Sequence, residues 1–444
     1  MYRGWKDCCQ GNTHLKEIFL IMSRRFLIAF WNLFSERIFC GFAAWSFKFF
    51  LLIFYISFLG GCAPYFKPVD ELPPSDGLKK IGWWGRPHFY DDLEMESLLA
   101  AIEKNNKFLN RLPADRVFTY GNQKYSVEEI KESFRHFISI LKESEDRSDF
   151  NYRITRDFNI YTSVGFDSTK KVLFTGYYEP VIKGNFKKTD AYQYPIYSKP
   201  DDLIQINLGD FKRGFKGKKI IARIKDGAVV PYHDRKSIDL SGFLSGQGLE
   251  IAWLSDPVDA FFLHIQGSGI IEMPDGSKVN VNYAAANGRQ YRSIGRFLIK
   301  EGKVPKELMS MKAIREYLKS HPEEIERVLF YNESYVFFRV VEQGPIGSTG
   351  VPVTAERSIA SDPRMFPKGG LAFIETEIPV TDMEGNVTGW KKISRFVVAQ
   401  DAGGAIKGPG RVDIFFGTGK EPAKLAGSMN REGRLFFLIK KRTK

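Results

Sequence analysis

Cysteine runs out early in this chain. Of 444 residues only four are cysteine, Cys8, Cys9, Cys40 and Cys62, and all lie within the first 62 positions. No disulfide and no thiolate metal site can form beyond Cys62. A secreted domain of this size can still hold together on its hydrophobic core. The six histidines are scattered, with no H-E-x-x-H and no Cys/His ligand spacing, so no metal is expected. There is no G-x-S-x-G nucleophile elbow and no P-loop lysine. No repeat at solenoid or propeller period is visible, and no low-complexity block points to a disordered majority.

What is present is an ordinary globular mixture, 43% hydrophobic and 26% charged, long enough for two or three domains. The formal net charge is +13. Residues 1–61 hold seven Lys/Arg and three Asp/Glu, a net +4, and the chain from Cys62 onward holds the other +9. Such a balance favours an acidic partner. Nucleic acid, anionic lipid and an acidic cell-wall polymer all qualify, as does a merely soluble basic surface.

Lys48 precedes an apolar run, Phe49 to Leu59, that ends in Gly60-Gly61-Cys62. A basic flank, a short apolar stretch and a small-residue cleavage site describe a signal peptide. The run is shorter than the roughly 20 apolar residues that a membrane-crossing helix needs. Leu59-Gly60-Gly61-Cys62 resembles the bacterial lipobox, in which the cysteine becomes the lipidated first residue. The alternative is an uncleaved anchor with an incidental cysteine. Ala63 after the cysteine points, by the same resemblance, to the outer membrane. Met22, followed by Ser23-Arg24-Arg25, reads as a better start than Met1. Residues 63–80 are rich in Pro and charge and read as a tether.

The apolar spacing predicts a helix over Asp91–Leu112 and a second from Ser126 to about Leu141, opened by a capping box between Ser126 and Glu129. From about residue 150 short strand-like stretches follow, among them Val172–Phe174, Ile220–Ile224 and Ala260–Ile265. A helical interlude covers 291–300, 311–319 and 323–330. Strands resume at Ser334 and run to the end, with Arg434–Ile439 the last buried one. The pattern reads as mixed β-barrel architecture with flanking helices.

Carboxylates dominate the candidate chemistry. Asp401 ends an apolar strand, Arg395–Gln400, and opens Asp401-Ala402-Gly403-Gly404-Ala405-Ile406-Lys407. Asp before Gly is ordinary turn chemistry. An Asp at the end of an apolar strand is also partly desolvated, which raises its pKa and suits a general acid. Asp413, flanked by Val412 and Ile414, is costly to bury unless paired. Asp362, in Ser361-Asp362-Pro363, fits turn chemistry well. Thr175-Gly176-Tyr177-Tyr178-Glu179 interleaves rings and polar groups that could grip sugars, or is simply a tyrosine-rich strand end. Gln266-Gly267-Ser268-Gly269 is a β-turn or a loop that lets backbone approach a sugar.

Thr175–Pro180, Phe262–Gly269, Tyr283–Gly295, Arg357–Asp362 and Asp401–Gly419, in that order, together resemble the membrane-bound lytic murein transglycosylase A family. The last stretch resembles its C-terminal three-aspartate domain, and Met309–Arg315 its helical segment. The resemblance spans roughly residues 85–440 and implies a mainly β fold with flanking helices. A double-psi β-barrel catalytic domain would comprise 81–180 and 296–444, with a smaller β-barrel-like domain inserted at 181–295. Residues 1–61 would be the leader and 62–80 the lipidated tether, lipid sitting on Cys62 at the periplasmic face of the outer membrane.

The implied activity is that of a peptidoglycan lytic exotransglycosylase. Asp401 would be the acid/base, closing a 1,6-anhydro ring on N-acetylmuramic acid. Asp413, Asp362, Gly403, Gly404 and Lys407 would support it. Thr175, Gly176, Tyr177, Tyr178, Glu179, Gln266, Gly267, Ser268 and Tyr291 would bind glycan. The implied partners are peptidoglycan strands and a membrane, with no nucleic acid, cofactor or metal. Two rivals stand beside this reading. One is a hydrolase using Asp401 and Asp413 as a pair, which as an inverting enzyme needs carboxyls roughly 6.5–9.5 Å apart. The other is a cell-wall binder without catalysis.

Overall fold

The computed structural model describes residues 76–442. They belong to one compact unit, Lys67–Lys444, with its own core. The leader and Cys62 lie outside the described residues.

In chain order, β1 (Leu78–Lys80) leads to helix α1 (Met95–Leu109), the hairpin β2 (Val117–Tyr120) and β3 (Gln123–Ser126), and helices α2 (Val127–Glu143) and α3 (Arg147–Asp157). α2 starts where its capping box predicts: Glu129 N donates to Ser126 Oγ (3.2 Å) and Ser126 N to Glu129 Oε2 (2.8 Å). α3 opens on Asp146, whose side chain accepts from Asp149 N. The sequence pattern predicts strands from about this point. Next come β4 (Phe158–Ser163) and β5 (Val172–Glu179).

The chain then builds a second sheet. It contains β6 (Val181–Asn185), β7 (Tyr194–Tyr197), β11 (Glu250–Leu254), β12 (Ser268–Glu272), β13 (Lys278–Ala286) and β14 (Val336–Val341), in the order β14-β13-β12-β6-β11-β7. A bridge from Ser198 to Phe338 brings the end of β7 back to β14, so the sheet curls towards closure. Within this run β8 (Ile204–Asn207), β9 (Lys219–Lys225) and β10 (Ala228–Pro231) form a separate three-stranded sheet. Five helices flank the second sheet: α4 (Arg235–Asp239), α5 (Pro257–Gln266), α6 (Ile294–Lys300), α7 (Met311–Ser320) and α8 (Ile325–Phe330). Val258 and Phe262 of α5, Leu298 of α6, Leu318 of α7 and Val328 of α8 share one core.

Two expectations are corrected here. Ala260–Ile265 is helical, not a strand. Asp256 caps α5, Pro257 occupies its first turn, and Gly267 closes it in the left-handed region at φ 78°. The family resemblance assigns 296–341 to the first barrel, yet β14 pairs with β13 along its whole length. That pairing extends the second sheet's chain segment to Val341.

The rest of the chain closes the first barrel with β15 (Ser358–Ala360), β16 (Leu371–Thr381), β17 (Val387–Asp401), β18 (Arg411–Thr418), helix α9 (Lys420–Ser428) and β19 (Asn430–Lys440). α9 is a helix where the sequence pattern predicts strands. The ring runs β5-β18-β15-β17-β16-β19 and returns to β5, and the pairs β5–β18 and β15–β17 are parallel. This is the expected mainly β fold, a closed six-stranded barrel with flanking helices. Its apolar faces bury Phe373, Phe396, Val397 and Phe437 against Ile102 of α1 and Phe137 of α2. Removing this much apolar surface from water is the main force that holds the domain together.

Two arginines tie the barrel to the chain that leads into α1. Arg357 is fully buried, donates to Asp91 Oδ2 (2.6 Å) and Ser97 Oγ (2.8 Å), and bonds the carbonyls of Phe396 and Glu94. Arg395 makes a two-pronged pair with Asp92 at 2.8 and 2.7 Å.

Candidate active site

A cavity of about 690 Å³ opens between the two β units. The first barrel supplies Tyr177 from β5, the loop 345–350, and Asp401–Ala405 with Lys407 at the end of β17. The second supplies His264–Ser268, Asn282 and Tyr283 from β13, Tyr291 and Arg339.

Asp401 lies on this wall and is held by three neutral donors. Ser348 N and Ala402 N both donate to Oδ1 at 2.8 Å, and Tyr177 Oη donates to Oδ2 at 3.0 Å. Burial pushes its carboxyl above the ordinary range, and these hydrogen bonds together with the charge of Lys368 pull only part of the way back. Tyr177 is held protonated, first by burial and then by the neighbouring Asp401. With Oδ1 occupied by two backbone amides, Oδ2 is the oxygen placed to exchange a proton.

Asp413 is close but different. In the strand order β17-β15-β18, Ala360 registers against Asp401 on one side and Asp413 on the other. Two strand spacings put their backbones about 9–10 Å apart. Asp413 does not line the cavity. Its Oδ1 is buried with no hydrogen-bond partner. Its pKa is pushed up to about 6, first by burial and further by Asp401, with Arg411 opposing.

Asp362 is wholly buried and structural. It pairs with Arg364 (2.7 Å) and accepts from Gly408 N (2.8 Å), which fastens the far end of the loop that carries Gly403, Gly404 and Lys407. Burial alone would raise its pKa, but these bonds outweigh burial and hold it below the usual carboxylate value.

The remaining candidates divide. Tyr177, Gln266, Gly267, Ser268, Tyr291, Gly403, Gly404 and Lys407 line the cavity. Gln266 accepts from Tyr178 N at 3.0 Å through Oε1, which leaves its amide nitrogen for a ligand. Thr175, Gly176, Tyr178 and Glu179 do not line it. Thr175 registers against Asp413. A Cβ on Gly176 would sit 2.7 Å from the Phe416 ring and 2.8 Å from the Ala426 backbone, so its glycine is required by packing. Tyr178 belongs to the barrel core. Glu179 is buried, accepting from Thr418 Oγ1 at 2.6 Å, and burial raises its pKa.

Two contributors carry no mark in the sequence reading. Ser348 acts through its backbone amide. Lys368 donates to Ser348 O at 2.6 Å and bears electrostatically on Asp401. Gly347-Ser348-Thr349-Gly350 is the available signal for a tight loop. Lys368 has none.

Comparison with known proteins follows the same outline. The "MltA specific insert domain" matches residues 173–339 and the "3D domain" matches 357–439. The membrane-bound lytic murein transglycosylase A of Escherichia coli K12 is 37% identical over 291 residues, covering 64% of this chain and 71% of the relative. The chain belongs to the membrane-bound lytic murein transglycosylase A family. Among solved structures, the membrane-bound lytic murein transglycosylase of Agrobacterium tumefaciens superposes with a TM-score of 0.66 at 29% identity, covering 82% of this chain and 98% of that one. An E. coli family structure with bound chitohexaose gives 0.63 at 28% identity, covering 85% and 98%.

Proposed function

We propose that this family member is a lytic transglycosylase of peptidoglycan, cleaving the β-1,4 bond between N-acetylmuramic acid and N-acetylglucosamine with Asp401 as its single acid/base. The observation that carries this is the asymmetry of the two carboxyls. Asp401 lines the cleft with a raised pKa and only neutral donors, while Asp413 stands outside the lining. A two-carboxylate hydrolase needs both groups at the scissile bond, with room for a water in the inverting case. The sugar hexamer held by the E. coli relative supports a glycan occupant for the cleft.

In this reading Asp401 gives its Oδ2 proton to the glycosidic oxygen as the bond to the muramic C1 breaks. The positive charge that develops at C1 is met by the C6 hydroxyl of the same sugar. The carboxylate, steadied by Ser348 N, Ala402 N and Tyr177 Oη, takes the hydroxyl proton as O6 bonds C1. An anhydro ring and a free 4-hydroxyl end result, and no water is consumed. An internal nucleophile replaces the second carboxylate and profits from its high effective concentration. Asp413 acts as a neighbouring charge and not as a partner in proton transfer. Lipid on Cys62 would keep the enzyme at the periplasmic face of the outer membrane, and the insertion would span 181–341.

The test is the product of residues 67–444 on purified peptidoglycan, read by mass spectrometry beside Asp401→Asn. Muropeptides lighter by one water, with no reducible end, are expected, and the variant should lose on the order of a thousandfold or more in rate. Reducing-end products would reject the mechanism in favour of hydrolysis.

A further inference from the structure

Far along the chain from Asp401, the start of the described chain carries a cluster of exposed rings. Trp83 and Trp84, in the short turn Trp83–Gly85, are 68% and 98% exposed. Tyr90 and Tyr152 of α3 are exposed as well. Hydrogen bonds tie the segment that carries Trp83, Trp84 and Tyr90 to α3, which carries Tyr152. Arg86 Nη1 reaches Thr155 O (3.0 Å), and Phe89 and Asn151 exchange bonds at 2.7 and 2.8 Å.

Each partly covered ring sits under a guanidinium: Arg86 over Trp83 (5.4 Å), Arg147 over Tyr90 (4.3 Å) and Arg156 over Tyr152 (5.5 Å). Lys441 donates to Thr155 O, and the charges of Arg86 and Lys80 bear on it. The counter-charges on this helix are Asp157, engaged by Arg156 and His136, and Asp149, engaged by Arg153, with Glu145 and Asp146 at its entry.

We propose that the Trp83–Trp84 turn and the arginine-capped face of α3 form a docking surface for an anionic lipid bilayer. Exposed tryptophan and tyrosine beside arginine and lysine is the chemistry of the membrane interface, where rings enter the headgroup layer and cations meet phosphates. A guanidinium already covers one face of each of three rings on which a sugar strand would stack. Of these, the guanidinium groups of Arg86 and Arg147 stand outside any ion pair among the described residues, and such groups are what phosphates seek. Trp84, uncovered, is the wedge.

The chain's entry fits this occupant. Cys62 precedes Asp76 by 14 positions, at most about 50 Å of extended chain, so a lipid there would hold this face within reach of the bilayer. The proposal does not depend on Asp401 or on lipidation: its test reads vesicle binding and not turnover, on a chain that lacks Cys62.

Residues 67–444 would be sedimented with vesicles of phosphatidylcholine containing about a third phosphatidylglycerol, and with phosphatidylcholine alone. Binding to the anionic vesicles is expected, weakening as salt rises. Trp84→Ala should cut partitioning on the order of tenfold, because the ring's burial in lipid is lost. Its thermal melting should stay at the wild-type value, since the side chain is 98% exposed. Arg147→Glu should reduce the preference for anionic lipid. Absence of vesicle binding overturns the proposal, as does binding that both variants retain. Loss of pelleting with insoluble peptidoglycan, with vesicle binding intact, would assign the face to glycan instead.

Discussion

The first barrel treats its carboxylates in two ways. Where the chain enters α1, Asp91 and Asp92 each meet an arginine that is itself buried, Arg357 and Arg395. Beside the cleft, Asp401 meets two amides and a phenol, and Asp413 leaves one oxygen without a partner. The first arrangement locks charge in place. The second offers no hydrogen-bonded cation, and burial leaves both carboxyls with raised pKa values. Arg411 lies near Asp413, yet its guanidinium bonds go to Ala405 O and Thr175 Oγ1.

The largest way to break this comparison is Arg357→Met. It strips a buried partner from Asp91 and from two carbonyls and should cost about 3 kcal/mol or more in urea denaturation. A loss below about 1 kcal/mol would class the pair with weak surface bridges. Asp413→Asn should act in the opposite sense. The folded carboxyl titrates at about 6, above its unfolded value of about 4. It therefore favours folding below pH 4, and that advantage disappears as pH rises through 6. The variant should melt higher than wild type at pH 8, by the equivalent of about 2–3 kcal/mol, with the gain vanishing near pH 4. A pH-independent difference would remove Asp413 from the comparison. The smallest change sharpens it. Tyr177→Phe removes a donor that lowers the Asp401 pKa, so the carboxyl should climb further. In the proposed mechanism Asp401 acts as the protonated acid, so activity should then persist to higher pH while turnover falls about tenfold. An unmoved alkaline limb in the rate profile would disconnect Tyr177 from Asp401.

Much of this was legible in the sequence because local chemistry carried it. The capping box placed α2, and an apolar run ending in Asp401 placed the acid at the end of a strand. α5 carries Asp256-Pro257 at its start, yet its pattern reads as a strand because Phe261-Phe262-Leu263-His264-Ile265 is too short to separate helix from buried strand by period. Gly176 and Glu179 looked like sugar contacts because an aromatic-polar texture does not say which residues pack inward. The reach of the insertion to Val341 rests on pairing between β13 and β14 across a helical stretch, and Ser348 and Lys368 meet Asp401 only once the barrel forms. Neither leaves a trace at short range.

The closure of that ring also orders the protein's assembly. β19 joins β5 through Asn430–Gly433 and β16 through Arg434–Phe437, and it follows every other strand of the ring in the sequence. The neighbours of β5 come from beyond residue 410, so the first barrel waits open while the insertion completes itself. Contacts of such long sequence separation form slowly. A site carried on this ring takes its shape only once β19 has joined β5.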